Sequence, residues 1–160
     1  MTETDTTPNA PTPEVAARQR WMGILARTPL ARLEETFAAL PEAPAFTHLR
    51  RPEIGSALVR GRAGGSGERF NLGEMTVTRC SIRLSASGTI GHAYVAGRAR
   101  RHAELAAVFD ALLQTPDHHD RLATDLIDPA AEAIAAARAE TIAKTAATRV
   151  DFFTMVRGED

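Results

Sequence analysis

A single cysteine, Cys80, among 160 residues leaves no partner for an intrachain disulfide and no thiolate set for a zinc or iron–sulfur site. That usage suits a reducing compartment. Lysine is almost missing as well: eighteen of the nineteen basic residues are arginine, and Lys144 is the exception. Aromatics are few, with one Trp, one Tyr and six Phe, so the core must be built from Leu, Val, Ile and Ala. No apolar run exceeds five residues, far too short to cross a bilayer. The polar, acidic N-terminus has neither the basic nor the apolar region of a secretion signal. Together these absences point to a soluble cytoplasmic protein of one domain.

The net charge of −1 hides an asymmetry. Between His48 and Arg101 ten arginines face three glutamates, a balance of +7, against −8 for the remainder. Base composition of a GC-rich genome accounts for Arg replacing Lys, but not for this clustering. Guanidinium groups grip carboxylate and phosphate oxygens in a bidentate fork, so an arginine-rich middle suits an anionic ligand.

Residues 1–12 hold no large apolar side chain besides Met1 and are expected to be a disordered extension. Thr12-Pro13 reads as the N-cap and first residue of a helix running to about Arg27, and Thr28-Pro29 repeats that signature. Leu30, Leu33, Phe37 and Leu40 then form an amphipathic stripe. Four strand-like segments follow, near 45–50, 56–62, 74–84 and 89–97, separated by turn residues. The last two are joined by a hairpin at Ser85-Ala86-Ser87-Gly88. Strands meandering without intervening helices predict an antiparallel sheet. Leu105, Val108, Phe109, Leu112 and Leu113 make the strongest helical stripe, a short helix covers about 117–126, and Asp128-Pro129 reads as the cap of an Ala-rich helix anchored by Ile134 and Ile142. The expected fold is therefore one α+β domain over residues 13–160, with a four-stranded antiparallel sheet flanked by N-terminal and C-terminal helices. An apolar stretch, Val150-Asp-Phe-Phe-Thr-Met-Val-Arg157, ends the chain; it reads as an extended tail over 149–160 able to join a sheet edge in its own chain or a neighbour's.

The loop Ala63-Gly-Gly-Ser-Gly-Glu-Arg-Phe70 is the best local candidate for chemistry. Gly64, Gly65 and Gly67 allow close backbone approach, and Arg62 and Arg69 flank them, an arrangement suited to phosphate oxygens. It matches neither nucleotide-loop template: no Gly-Lys-Ser/Thr follows, and Phe70 stands where a dinucleotide fingerprint needs its third glycine. A flexible connection between strands is the plainer reading. The basic run Gly97–Arg101 before His102 and Glu104 could likewise present arginines and helix amides to an anion, or be a solvated first turn. His118-His119 looks like metal binding only superficially and reads as solvated surface; no metal site is expected. Cys80 reads as buried. Nucleic acid is not an expected partner, for the strands lack paired stacking aromatics and no helix carries a basic recognition stripe.

Five blocks, Arg18-Gln-Arg-Trp-Met22, Gly64-Gly-Ser-Gly-Glu-Arg-Phe70, Thr78-Arg-Cys-Ser-Ile-Arg-Leu84, Gly97-Arg98 with His102-Ala-Glu104, and Thr148-Arg-Val-Asp-Phe-Phe-Thr-Met-Val-Arg-Gly158, together resemble the PhnG family of phosphonate metabolism proteins. These are the G subunits of the carbon–phosphorus lyase system. The resemblance implies an accessory subunit that assembles with H, I and J subunits in a core complex and works with an L subunit. It implies a role in displacing adenine from MgATP by an alkylphosphonate, giving a ribose 1-phosphonate 5-triphosphate. The nucleosidase-like activity is associated with the I subunit, and the iron–sulfur cluster of the later radical step with the J subunit. This chain would hold no cofactor alone, with MgATP a co-substrate of the complex. On that reading Arg62, Gly64, Gly65, Gly67 and Arg69 serve an anion site, His102 and Glu68 take polar catalytic roles, and Asp151, Phe152, Phe153, Met155 and Arg157 bind a partner. The competing expectation is a purely structural subunit whose motifs shape contacts and reach no active site.

Overall fold

In a computed structural model that describes residues 10–62 and 67–147, helix α3 (Arg100–Leu113) is the centre of the molecule. Ten of its fourteen residues are buried, from Ala103 to Leu113, so it is apolar on nearly every side. One side lies on a sheet and the other on four further helical elements: α1 (Pro13–Leu25), α2 (Leu30–Ala38), α4 (Pro116–Leu122) and the base of α5 (Asp128–Ala147). The expected Leu30–Leu40 stripe of α2 packs on this core through buried Leu33, with Phe37 meeting Phe109 edge-on at 6.5 Å. Thr12 caps α1, accepting the amide of Val15 at 3.4 Å. The second cap differs from expectation. Pro29 occupies the cap position of α2, while Thr28 is buried and donates its hydroxyl back to the Ile24 carbonyl at 2.9 Å.

The sheet is an antiparallel meander of three strands in the order β1 (Phe46–Arg62), β2 (Arg69–Leu84), β3 (Ile90–Ala96). Four strands were expected, with residues 51–55 as the turn between segments 45–50 and 56–62. Instead β1 runs straight through it as a single strand of 17 residues, with register shifts on either side of Arg50. Proline cannot donate to a ladder, but β1 is an edge strand, and irregular pairing absorbs the missing bond. The hairpin from β2 to β3 closes as expected, with Gly88 at φ +71, a conformation that favours glycine. Thr78, Cys80, Ile82 and Leu84 of β2 are buried against α3.

A buried carboxylate ties these layers together. Asp110 is fully buried in the middle of α3. It accepts Arg18 Nε at 3.2 Å and Nη2 at 2.8 Å, Trp21 Nε1 at 2.9 Å and the His92 amide at 2.9 Å. Arg18 and Trp21 are one turn apart on α1, so a single helix face supplies three of the donors, and β3 supplies the fourth.

The Ala-rich C-terminal region departs from the expected cap at Asp128. Residues 116–147 form one continuous helical path through a π-helical turn, Ala123–Ile127. Pro129 has no amide to give the Asp125 carbonyl four residues earlier, and the guanidinium of Arg32 from α2 takes that carbonyl instead at 2.8 Å. Ala130 is buried and Ile134 packs on the core, but Ile142 is 58% exposed and anchors nothing among the described residues.

Sheet and helix approach most closely at Gly91. A Cβ built there would stand 1.9 Å from the Ala107 carbonyl oxygen and 2.8 Å from the Ala111 amide nitrogen. Gly91→Ala must force β3 off α3 and is expected to lower stability by about 3 kcal/mol or more. Gly55→Ala, where no atom lies within 4 Å, should be neutral or slightly stabilising. Denaturant melts of the two variants check this; equal midpoints would contradict it.

Candidate functional site

The β1–β2 ladder continues far beyond the body of the domain. β3 pairs only with Val77–Arg83, yet β1 and β2 go on pairing from Ser56–Thr76 to Arg62–Arg69. The seven residues from Ser56 to Arg62 make an arm roughly 20 Å long, covered by no helix and no third strand among the described residues. Opposite residues share a face. Ala57 faces Met75, Val59 faces Gly73 and Gly61 faces Phe70, while Leu72 is the unpaired residue of a register shift. The Phe70 ring and Leu72 both lie 3.8–3.9 Å from where a Gly61 side chain would begin. This apolar face is continuous with the open side of the sheet, where Arg79 stands opposite Tyr94. Leu72 is 65%, Tyr94 61% and Phe70 45% exposed, while Leu58, 57% exposed, lies on the opposite face. The other face carries Arg60, Arg62 and Arg69 toward the tip.

Of the residues expected at an anion site, Arg62, Gly67 and Arg69 do come together at that tip. Arg62 pairs across the ladder with Arg69 and donates Nη1 to the Gly67 carbonyl at 3.2 Å. Gly64 and Gly65 lie outside the described residues, as do Asp151, Phe152, Phe153, Met155 and Arg157. Glu68 is exposed at the tip. His102 lies off the arm, on the first turn of α3 beyond the arm's base, and its Nε2 donates to the Leu25 carbonyl at 2.8 Å. That bond fixes the tautomer and closes the end of α1 against α3. The arm therefore separates His102 from Glu68 within this chain.

Around His102 a second group assembles. Gly97, at φ +82, turns the chain from β3 toward α3, and buried Thr78 holds the turn by donating to the Gly97 carbonyl at 2.7 Å and accepting the Ala99 amide at 2.9 Å. Glu104 accepts His48 Nε2 at 2.9 Å and Arg101 Nη1 at 2.6 Å. Glu53 accepts both Arg50 and Arg79, and these bonds hold its carboxyl below the usual range. His119, read from sequence as solvated, packs edge-on to Trp21 at 5.6 Å and bonds the Leu113 carbonyl at 2.6 Å. Among the described residues no group of three or more His, Cys, Asp or Glu could hold a metal ion.

The Asp110 cluster escaped the sequence reading. Its one signal was an aspartate in the middle of an apolar helical stripe. The sequence block containing Arg18 and Trp21 now has a physical role, since both side chains terminate on that carboxylate.

The family model for the phosphonate metabolism protein PhnG matches residues 16–158. This chain belongs to the PhnG family. A relative from Rhizobium meliloti (strain 1021) is 44% identical over 146 residues, covering 91% of this chain and 92% of its own length. It is the alpha-D-ribose 1-methylphosphonate 5-triphosphate synthase subunit PhnG. The match runs through the arm, α3 and on past Ala147. No helix among the described residues is long and apolar enough to cross a membrane.

Cys80 is buried, and its thiol donates to the Arg50 carbonyl at 3.4 Å. Burial first, and the negative charge of Glu104 second, push its pKa up to about 11. At pH 8 only about one thiol in a thousand is then ionised. Alkylation of the native chain should proceed no faster than unfolding, and adding denaturant should release it. Rapid labelling in native buffer would mean that Cys80 is accessible.

Proposed function

We propose that this chain is an accessory, non-autonomous subunit of the cytoplasmic carbon–phosphorus lyase machinery. It supports the transfer of an alkylphosphonate onto C1′ of the MgATP ribose with loss of adenine, a transferase reaction that the chain alone does not perform. Its partners on this reading are the H, I and J subunits, with the L subunit acting in the same step; nucleic acid and membrane are not among them.

The arm is the observation that carries this reading. A two-stranded ribbon is marginal in water by itself, and one that exposes Phe70, Leu72 and Met75 along one face leaves its apolar surface uncompensated. A neighbouring subunit covering the apolar face would supply the missing burial, while Arg60, Arg62 and Arg69 would stand at its rim. The tail residues Asp151, Phe152, Phe153, Met155 and Arg157 would give a second point of attachment.

The chemistry explains why arginines would matter there. Displacement at the anomeric carbon develops positive charge on the sugar while two anions, phosphonate and triphosphate, are brought near each other. Guanidinium forks and glycine amides offset that repulsion and hold alignment. Arg62, the Gly64–Gly67 loop and Arg69 are proposed either to reach into such a site on the neighbour or to order the part of the neighbour that does. Glu68 and His102 are the candidate polar groups of the chain.

A second reading, a subunit with no active-site residue, is favoured by one observation: His102 already spends Nε2 on a backbone carbonyl, with the arm between it and Glu68.

Co-expression with the H, I and J subunits followed by mass measurement is the direct test. A stable hetero-oligomer is expected, and a monomer indifferent to those subunits would overturn the proposal. Phe70→Ser combined with Leu72→Ser should leave the melting temperature of the isolated chain nearly unchanged, because both residues are exposed, yet weaken co-purification at least tenfold. Arg69→Ala separates the two readings. An intact complex with turnover reduced tenfold or more supports a site at the arm tip; full turnover supports the structural reading.

A further inference from the structure

Away from the arm, an open cleft of about 380 Å³ lies between β1 and the first turn of α3, lined by His48, Arg51, Pro52, Arg100, Arg101 and Glu104. The irregular pairing on either side of Arg50 lets Arg51 and Pro52 line the same cleft as His48. Three arginines meet a single carboxylate in its lining, and that carboxylate is committed: Glu104 already accepts His48 and Arg101, and Arg101 also has Glu34 at 4.0 Å, so Arg51 and Arg100 carry the unbalanced charge. Arg51 and Arg100 have neither an ion pair nor a hydrogen bond among the described residues.

The helix end makes this imbalance worse. A helix N-terminus carries partial positive charge and normally has acidic residues or a side-chain cap. Here Ala99 offers no side-chain cap, the first turn holds no acid, and its first two residues are Arg100 and Arg101. Two cations at the positive end of a helix repel it, and a third faces them across the cleft. An anion bound between them would reverse each of these unfavourable terms at once.

We propose that the cleft is a binding site for a tetrahedral oxyanion of the phosphate and phosphonate class. Arg51 and Arg100 supply the guanidinium forks, and Arg101 is held in place by Glu104 and by the face of Phe37, 5.8 Å from its guanidinium carbon. Glu104 keeps His48 and Arg101 oriented. The site does not depend on the subunit assignment; only the identity of its natural ligand does.

Calorimetric titration of the full-length chain with inorganic tripolyphosphate, inorganic phosphate and methylphosphonate tests it. Saturable binding of one equivalent is expected, weakened at least tenfold by Arg51→Ala with Arg100→Ala. The pair Arg83→Ala with Arg138→Ala removes the same charge from other exposed positions and should leave affinity within about twofold. All four side chains are exposed, so matching melting temperatures are expected and separate lost binding from lost fold. Tighter binding of tripolyphosphate than of methylphosphonate would identify a polyphosphate chain as the ligand, and equal binding a lone tetrahedral group. Absence of saturable binding, or equal weakening by both pairs, would overturn the site. A chain that binds the anion but never co-purifies with H, I and J subunits would sink the subunit reading and leave this one standing.

Discussion

Asp110 is the constraint on which the other contacts depend. A carboxylate buried at the centre of the core is costly to desolvate, and four donors from α1 and β3 compensate it. Losing one partner leaves the charge stranded, typically at a cost of about 3–5 kcal/mol, whereas the complete set fixes α1, α3 and β3 in one relative position. That position is what permits Gly91 to sit against the Ala107 carbonyl. It also places the end of α1 where His102 can reach Leu25. Specificity, more than net stability, is what such a cluster contributes. Leucine-rich surfaces slide; a forked arginine on a carboxylate does not.

Much of this architecture was legible in the chain. The stripes of α2 and α3 follow from their spacing, and the antiparallel meander from strands without crossover helices. Errors fell where tertiary partners rescue what a local rule forbids. Residues 51–55 were read as a turn, yet β1 runs through them, because the amide that Pro52 lacks costs little in a strand at the edge. Asp128-Pro129 looked like a helix start, and the helix continues because Arg32, distant in sequence, takes the carbonyl that the proline leaves free. Thr28 looked like a cap and instead bonds backward into α1. No local pattern contains those partners.

The candidate site was legible in part. That arginines cluster in the middle of the chain was plain, but not that the ladder divides them. One set lies at the tip of the arm and another beside α3, and only the pairing of β1 with β2 reveals the distance. His102 and Glu68, both polar and near arginines in sequence, fall into different sets. Glu104 acts as a partner for His48 across the sheet–helix boundary, a contact between residues 56 positions apart that no motif encodes.

The arm also bears on the life of the chain before it finds partners. A ribbon held by one ladder, with no third strand and no packed helix among the described residues, opens locally at far lower cost than the core behind it. Until it is covered, it offers an extended, apolar backbone of the kind that proteases and chaperones bind. Assembly then does more than recruit the subunit. On the proposed reading it converts an easily opened ribbon into a protected one, and the lifetime of the chain then follows the supply of the surface that covers its arm.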